Sequence, residues 1–397
     1  MKAGWEILEL GQLATVGAGN SAPQDETLFV DGRTPFFRTS DIGRVRFGDI
    51  ETATDLLNES GTQGLRMFPA GTILFPKSGA STFLNHRVMM QVDGCVSSHL
   101  ATITANPAIA EPRFLLYFLA TVQAQDMVQD HAYPSLNLPL IAGIKVPTPN
   151  IEEQRRIVTL LDEAFADIAI AKANAEKNLQ NARELFEGHL QSIFSNPGRG
   201  WQPRTLEELG TITSSKRIFK DEYVDVGIPF YRTKEIKELA NGLEITTELF
   251  ITESRYNEIK SGFGVPKKGD ILLTAIGTIG EIWVVDGKND FYFKDGNVLW
   301  LKNFNSVNTQ FLKYVLLSFV ESLKKMSHGS AYSALPIQRL NAHQIFLPSL
   351  EEQAQIVNTL DELLDLSRQL EAIYRQKLTA LDDLKKSLLH QAFSGCL

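Results

Sequence analysis

Apolar residues recur along two stretches of the chain in the steps that a long helix requires. Over residues 150–196, Ile157, Leu161, Ala164, Ile168, Ala171, Ala175, Leu179, Ala182 and Phe186 follow one another mostly by fours and threes, the heptad seam of a coiled coil. Over residues 349–397, Ile356, Leu360, Leu363, Leu370, Tyr374, Leu378, Leu381 and Leu388 hold the same phase. Pro149 and Pro348 precede these stretches, and the glutamates that follow suit a positive helix N-terminus. Asn196-Pro197-Gly198-Arg199-Gly200 closes the first helix and Gly395 the second. A seam of this kind needs a partner for its apolar face. The expectation is that the two helices pack on each other, antiparallel, as a rod of roughly 60 Å at ~1.5 Å per residue.

Ahead of each helix the pattern shortens. Gly71-Thr72-Ile73-Leu74-Phe75 and Gly269-Asp270-Ile271-Leu272-Leu273 read as strands bounded by glycine, and Asp286-Gly287 and Asp295-Gly296 as turns. Phe114–Leu119 and Phe311–Leu316 read as matched helices. The expected fold is α+β, with strand-rich domains at 1–149 and 197–348 and spacer helices at 150–196 and 349–397.

These matches are one module written twice. Ile151-Glu152-Glu153-Gln154-Arg155-Arg156-Ile157-Val158 returns as Leu350-Glu351-Glu352-Gln353-Ala354-Gln355-Ile356-Val357. Pro35-Phe36-Phe37-Arg38-Thr39 returns as Pro229-Phe230-Tyr231-Arg232-Thr233, and Tyr133 and Leu136 return as Tyr332 and Leu335. Two copies are too few for a solenoid. They suit a pseudo-two-fold object that presents two similar surfaces to something long, and a duplex with half-sites about a helical turn apart fits that geometry.

Composition narrows the classes. Hydrophobic content of 43% and charged content of 22% are those of a soluble globular protein. No apolar run spans a membrane, no signal-peptide core follows Met1, and Cys95 and Cys396 are too few for a disulfide framework, so a cytoplasmic protein is expected. The net charge of −8 argues against a bulk nucleic-acid binder, so any phosphates must meet local patches. Neither a phosphate loop nor the Asn-Pro-Pro-Tyr motif of amino-methyltransferases is present, and the seven histidines are scattered, so no metal, cofactor or catalytic residue is assigned.

The order of domain, Glu-Glu-Gln helix, domain, Glu-Glu-Gln helix, with Pro-Phe-(Phe/Tyr)-Arg-Thr and Gly-x-Ile-Leu in each domain, closely resembles the specificity subunit of type I restriction-modification systems. The resemblance covers the whole chain. It implies two target recognition domains, each reading half of a split, asymmetric site in double-stranded DNA. It also implies helices that dock two methyltransferase subunits, through which restriction and translocase subunits join. S-adenosylmethionine belongs to the methyltransferases, ATP and Mg to the restriction subunits, and the specificity subunit has no catalysis of its own. The competing readings are a single-chain methyltransferase or nuclease with an undetected motif, and a coiled-coil scaffold joining two protein-binding heads.

Base readout needs polar and basic side chains on loops that reach a groove edge. In the first domain these are Arg38, Thr39, Ser40, Lys77, Ser78, Ser81, Arg87 and Tyr133. In the second they are Lys216, Arg217, Arg232, Thr233, Lys234, Thr274, Thr278 and Tyr332. Arg38 and Arg232 are as well suited to pairing with a carboxylate in each domain. Tyr133 and Tyr332 read as half core, half contact, and Trp283 and Trp300 as core. The non-repeated residues are the better candidates for discrimination, because two domains should read different words.

Overall fold

The computed structural model describes residues 4–320 and 335–397. The chain divides into two compact units, Met1–Glu176 with Gln376–Leu397, and Lys177–Arg375. Each long helix, Ile151–Ser195 and Leu350–Ser394, is an unbroken run of 45 residues. Each unit therefore holds the N-terminal part of one helix and the C-terminal part of the other.

In the first unit, Ala14–Ala18, Leu100–Ala105, Ile73–Pro76, Arg87–Met90 and Phe47–Ile50 form a sheet in that order. A second sheet runs Asp55–Leu57, Thr34–Phe37, Gly94–Val96, Met67–Phe68. The central strand has no polar face because both its faces are covered. Ile73 and Phe75 pack with Phe114, Leu115 and Phe118 of the helix Pro112–Thr121, while Leu74 packs with Phe37 and Ile42. The strand Lys145–Thr148, paired with Glu6–Glu9, delivers the chain to the long helix.

The second unit repeats this plan. Its sheets run Thr211–Thr213, Val298–Lys302, Ile271–Thr274, Ile282–Val284, and Tyr223–Val224, Phe250–Ile251, Ile228–Tyr231, Tyr292–Phe293. Gln202–Thr205 pairs with Gln344–Leu347 ahead of the second long helix. Trp283 and Trp300 are core residues.

The repeated Glu-Glu-Gln motif pins each helix to its domain. Gln154 is buried; its amide donates to Pro149 O (2.9 Å) and Ile109 O (3.0 Å) and accepts from Glu111 N–H (2.9 Å). Gln353, equally buried, donates to Pro348 O (3.0 Å) and accepts from Asn308 N–H (2.8 Å). Two turns further on, the Tyr117 hydroxyl donates to Asp162 and the Tyr314 hydroxyl to Asp361. Burial and that carboxylate push both phenols up, so they stay protonated donors. Hydrogen bonds to a charged acceptor contribute about 1.5–3 kcal/mol each.

The helices run antiparallel within each unit. In the first, Arg156 donates to Leu397 O (3.0 Å) and Lys172 meets Asp382 (2.7 Å). In the second, Arg183 meets Glu371 (3.2 Å) and the buried Ser367 hydroxyl donates to Ala182 O (2.6 Å). Ile157, Leu161, Ile168 and Leu360 are buried, and Leu179, Ile356, Leu363, Leu370, Leu378 and Leu381 are half-buried. Near the domains the second seam is a residue out of the expected phase. Val357 and Leu389 are buried where Ile356 and Leu388 were expected, because the stripe there turns toward a globular core.

The far end of each helix completes the domain of the other repeat. Phe393 stands edge-on to Phe114 (5.2 Å) and Phe118 (5.3 Å), and Leu389 and Ala392 lie in the same core. Phe194 stands edge-on to Phe311 (5.5 Å), beside Leu190. Truncating Phe393 should cost about 3 kcal/mol, the low end for a buried Phe-to-Ala change. Phe393→Ala is expected to speed hydrogen exchange in Ile73–Pro76 and Leu100–Ala105 and to leave Ile271–Thr274 and Val298–Lys302 protected. Phe194→Ala should do the reverse. Equal acceleration in both sheets would contradict the assignment of each helix end to one core.

Candidate nucleic-acid interface

The Arg-Thr motif sits where a strand becomes a helix. Thr34–Phe37 runs into the helix Thr39–Val45, and Ile228–Tyr231 into Thr233–Ala240. Arg38 and Arg232 are the residues just before those helices, and their N–H groups donate to Asp41 (2.8 Å) and Glu235 (2.7 Å). Both acids are buried. Burial pushes the Glu235 carboxyl up, but hydrogen bonds from Arg232 outweigh it and hold the carboxyl below its ordinary value. The Arg38 guanidinium pairs with Asp55 and lies over Phe36 (5.2 Å); that of Arg232 clasps Glu235 (2.7 Å) and faces Glu248 (3.6 Å). The carboxylate reading of the two arginines therefore holds. Thr39 and Thr233 are half-buried, and Ser40 and Lys234 are exposed beside them.

In the first domain the loop after the central strand and the segment around Tyr133 form one surface. Gly79 N–H donates to Pro134 O (2.9 Å) and Leu136 N–H to Lys77 O (2.7 Å), so the two stretches are stitched together. Lys77 N–H donates to His99 O (3.0 Å), and the Ser78 hydroxyl shares a 2.8 Å hydrogen bond with His99 Nδ1. Ser81 Oγ donates to Ser78 O (3.1 Å). His131 stacks on Phe83 (5.7 Å), and Tyr133 is 83% exposed. Tyr133 is thus a surface residue and not half core. The Lys77 ammonium makes no ion pair or hydrogen bond with the described residues.

The second domain holds the same frame with different side chains. Ala275 N–H donates to Asn297 O (2.8 Å) and Leu335 N–H to Ala275 O (3.0 Å), matching the Lys77 bonds. Thr278 is exposed on the turn that follows. Lys216 and Lys302 both hold their ammonium groups 5.1 Å from the Phe263 ring. Arg217 extends beside them and pairs with Asp295 (2.9 Å). Tyr332 lies outside the described residues.

Two expected contacts are corrected. Arg87 is fully buried, its guanidinium 3.5 Å from the Phe75 ring centre, with Nη1 donating to His86 O (2.7 Å) and Nη2 near Val122 O (3.5 Å). Burial pushes it down to about 9, so it remains charged at neutral pH. It braces the loop from behind and has no route to a groove. Thr274 is also fully buried; its hydroxyl accepts from Glu281 N–H (3.0 Å) and donates to Thr278 O, closing the turn. Sequence reasoning missed His99 and Asn297, whose only signal is their place at the edge of a buried strand. It also missed the acids Asp41 and Glu235, which stand three residues after each arginine, the spacing of a capping box.

Among the described residues no cluster of His, Cys, Asp or Glu could hold a metal, and no helix is long and apolar enough to cross a membrane. A family profile described as type I restriction modification DNA specificity domain matches residues 2–181 and again 198–380. The chain belongs to this family. A Haemophilus influenzae protein provisionally named a type I restriction enzyme specificity subunit is 25% identical over 296 residues, 73% of this chain and 74% of that one. A structure from work on complex assembly and conformational transition of a type I restriction-modification system covers 100% of this chain and 99% of its own at 20% identity, with a TM-score of 0.82. The HsdS subunit of Thermoanaerobacter tengcongensis covers 100% of this chain and 98% of its own at 21% identity, with a TM-score of 0.65. The α+β fold is that of these subunits. As a specificity subunit the chain supplies recognition and no chemistry, and its partners are DNA and the methyltransferase and restriction subunits of the complex.

Arg87 has an internal control. Met89 lies opposite Ile73 and Val284 opposite Ile271, so Arg87 corresponds to Ile282, a buried core residue. The fold accepts an aliphatic side chain there, and a buried ion is often replaced by an apolar residue without loss. Arg87→Met is expected to leave thermal stability unchanged or raised while loosening the 79–86 loop, read by faster hydrogen exchange at Thr82. A drop in stability of several kcal/mol would show that the guanidinium is needed by the core.

Proposed function

We propose that residues 1–149 and 197–348 are target recognition domains for the two halves of an asymmetric site, and that the helices at 150–196 and 349–397 set the gap between the halves. The observation that carries this is the matched frame behind unmatched side chains. Lys77, Ser78, Ser81 and Tyr133, with Thr39 and Ser40, serve the first word. Lys216, Arg217, Thr278, Thr233 and Lys234 serve the second. Two methyltransferase subunits bind per chain, one at each equivalent helix start, and the complex acts in the cytoplasm. The buried Gln154 and Gln353 shape these starts from within, so the exposed Glu152 and Glu351 are the dock's polar rim.

The net charge of −8 predicts weak DNA binding by the chain alone, with affinity arising from the assembled complex. Reconstitution with methyltransferase subunits and S-adenosylmethionine, followed by mapping of methylated adenine, is expected to return one bipartite motif with a fixed gap. Methyl transfer by the chain alone, or methylation without regard to sequence, would overturn the reading. Lys77→Ala should weaken binding through the first half-site only and Lys216→Ala through the second only. Where the lost contact is to a phosphate, the salt slope should fall by about one. Inserting one heptad into both helices should lengthen the gap and leave both words intact.

A further inference from the structure

His99 and Asn297 occupy the same place in the two domains. The backbone carbonyl of each receives the N–H of the first loop residue, Lys77 (3.0 Å) or Ala275 (2.8 Å). That loop residue in turn accepts from Leu136 (2.7 Å) or Leu335 (3.0 Å). Two residues on, the loop turns on a glycine in the left-handed region, Gly79 (φ 75°) or Gly277 (φ 78°), where a side chain would be strained. The following residue, Leu100 or Val298, is fully buried opposite Pro76 or Thr274, which fixes the register. Four backbone constraints thus hold both positions alike, and only the side chains differ.

Those side chains differ in the way readers of two words should. His99 is exposed, and Ser78 Oγ holds its Nδ1 at 2.8 Å, which orients the ring and leaves Nε2 as its one outward hydrogen-bonding atom. Asn297 is half-buried, and its amide bonds to none of the described residues, so it offers a donor and an acceptor together. An amide of that kind matches the adjacent N6 and N7 of adenine, whereas a single ring nitrogen makes one bond. The neighbours diverge too: Lys77 and Ser78 against Ala275 and Ile276. Residues that only maintained the fold would be free to match, as the Gln154 and Gln353 pins do.

We infer that His99 and Asn297 are equivalent specificity-determining positions, one per half-site, each contacting a base edge from the start of the strand paired with the central one. The inference rests on the recognition reading above and adds which atoms discriminate. It is tested with the full chain assembled with its methyltransferase subunits, by mapping methylated adenine in DNA modified by the wild type, by His99→Asn and by Asn297→His. Each variant is expected to alter or relax one base of one half-site, by about 10- to 100-fold in discrimination, and to leave the other half-site and the gap unchanged. Ser78→Ala should relax the His99-dependent base alone, because it frees the ring. Wild-type motifs from both exchanges overturn the inference, as does one exchange altering both half-sites. If a variant methylates nothing, selection from duplexes randomised in one half-site decides: retained wild-type preference overturns it, and lost preference in that half alone supports it. A wild-type complex with no bipartite motif would instead fail the recognition reading itself.

Discussion

The apolar stripe of a 45-residue helix must be buried along its whole length, and the architecture answers that single demand. No one globular domain is long enough to cover it. Each helix starts against its own domain, continues against the other helix, and ends in the core of the other repeat's domain. Phe393 and Phe194 are the visible ends of this arrangement, packed among Phe114, Phe118 and Phe311. Each domain core thereby depends on residues far away in sequence. The pins at Gln154 and Gln353 orient the helix where it leaves the strand, and the Tyr117–Asp162 and Tyr314–Asp361 bonds repeat that constraint two turns on.

Rigidity at the base of each domain leaves variety at its rim. The central strands Ile73–Pro76 and Ile271–Thr274 are buried on both faces, so their ends cannot move independently of the core. The loops that follow are fixed by backbone hydrogen bonds that any side chain can satisfy. Apart from the glycine on which each loop turns, sequence there is therefore free to change at little cost to the fold, which is the condition for one scaffold to carry two words. Arg87 and Thr274 belong to the supporting layer: Arg87 donates to His86 O and the Thr274 hydroxyl closes the turn, each from behind its loop.

Much of this was legible in the sequence, for physical reasons. The helices and their pairing followed from steps of four and three, because a heptad seam has few other uses, and the antiparallel sense followed from the two-fold implied by a duplicated module. The α+β plan followed from short apolar runs between glycines. The misreadings share one cause, which is that a polar residue type does not reveal its burial. Arg87 opens the run Arg87-Val88-Met89-Met90, and its pairing with Phe75 across the sheet decides its fate. Thr274 ends the run Ile271-Leu272-Leu273-Thr274 and turns inward to close a turn. In the Glu-Glu-Gln motif the glutamates read for their fit to a helix N-terminus, whereas the third residue, which carries no reading, faces inward. His99 carried no motif at all; its interest comes only from its counterpart across the repeat.

Charge follows the same division between scaffold and rim. Cations that recur in both repeats, Arg38 and Arg232, are neutralised by carboxylates, Asp55 on a neighbouring strand and Glu235 at a helix start. Of the cations that do not recur, Lys77 and Lys216 have no carboxylate partner among the described residues, whereas Arg217 pairs with Asp295. A chain with net charge −8 cannot hold a duplex by its overall field, so its attraction must come from such isolated groups acting at short range. Short-range contacts are also the ones that distinguish sequences. On the proposed reading, weak attraction by the subunit alone and discrimination within the assembled complex are two results of one distribution of charge: the repeated arginines paired, and Lys77 and Lys216 left for the ligand.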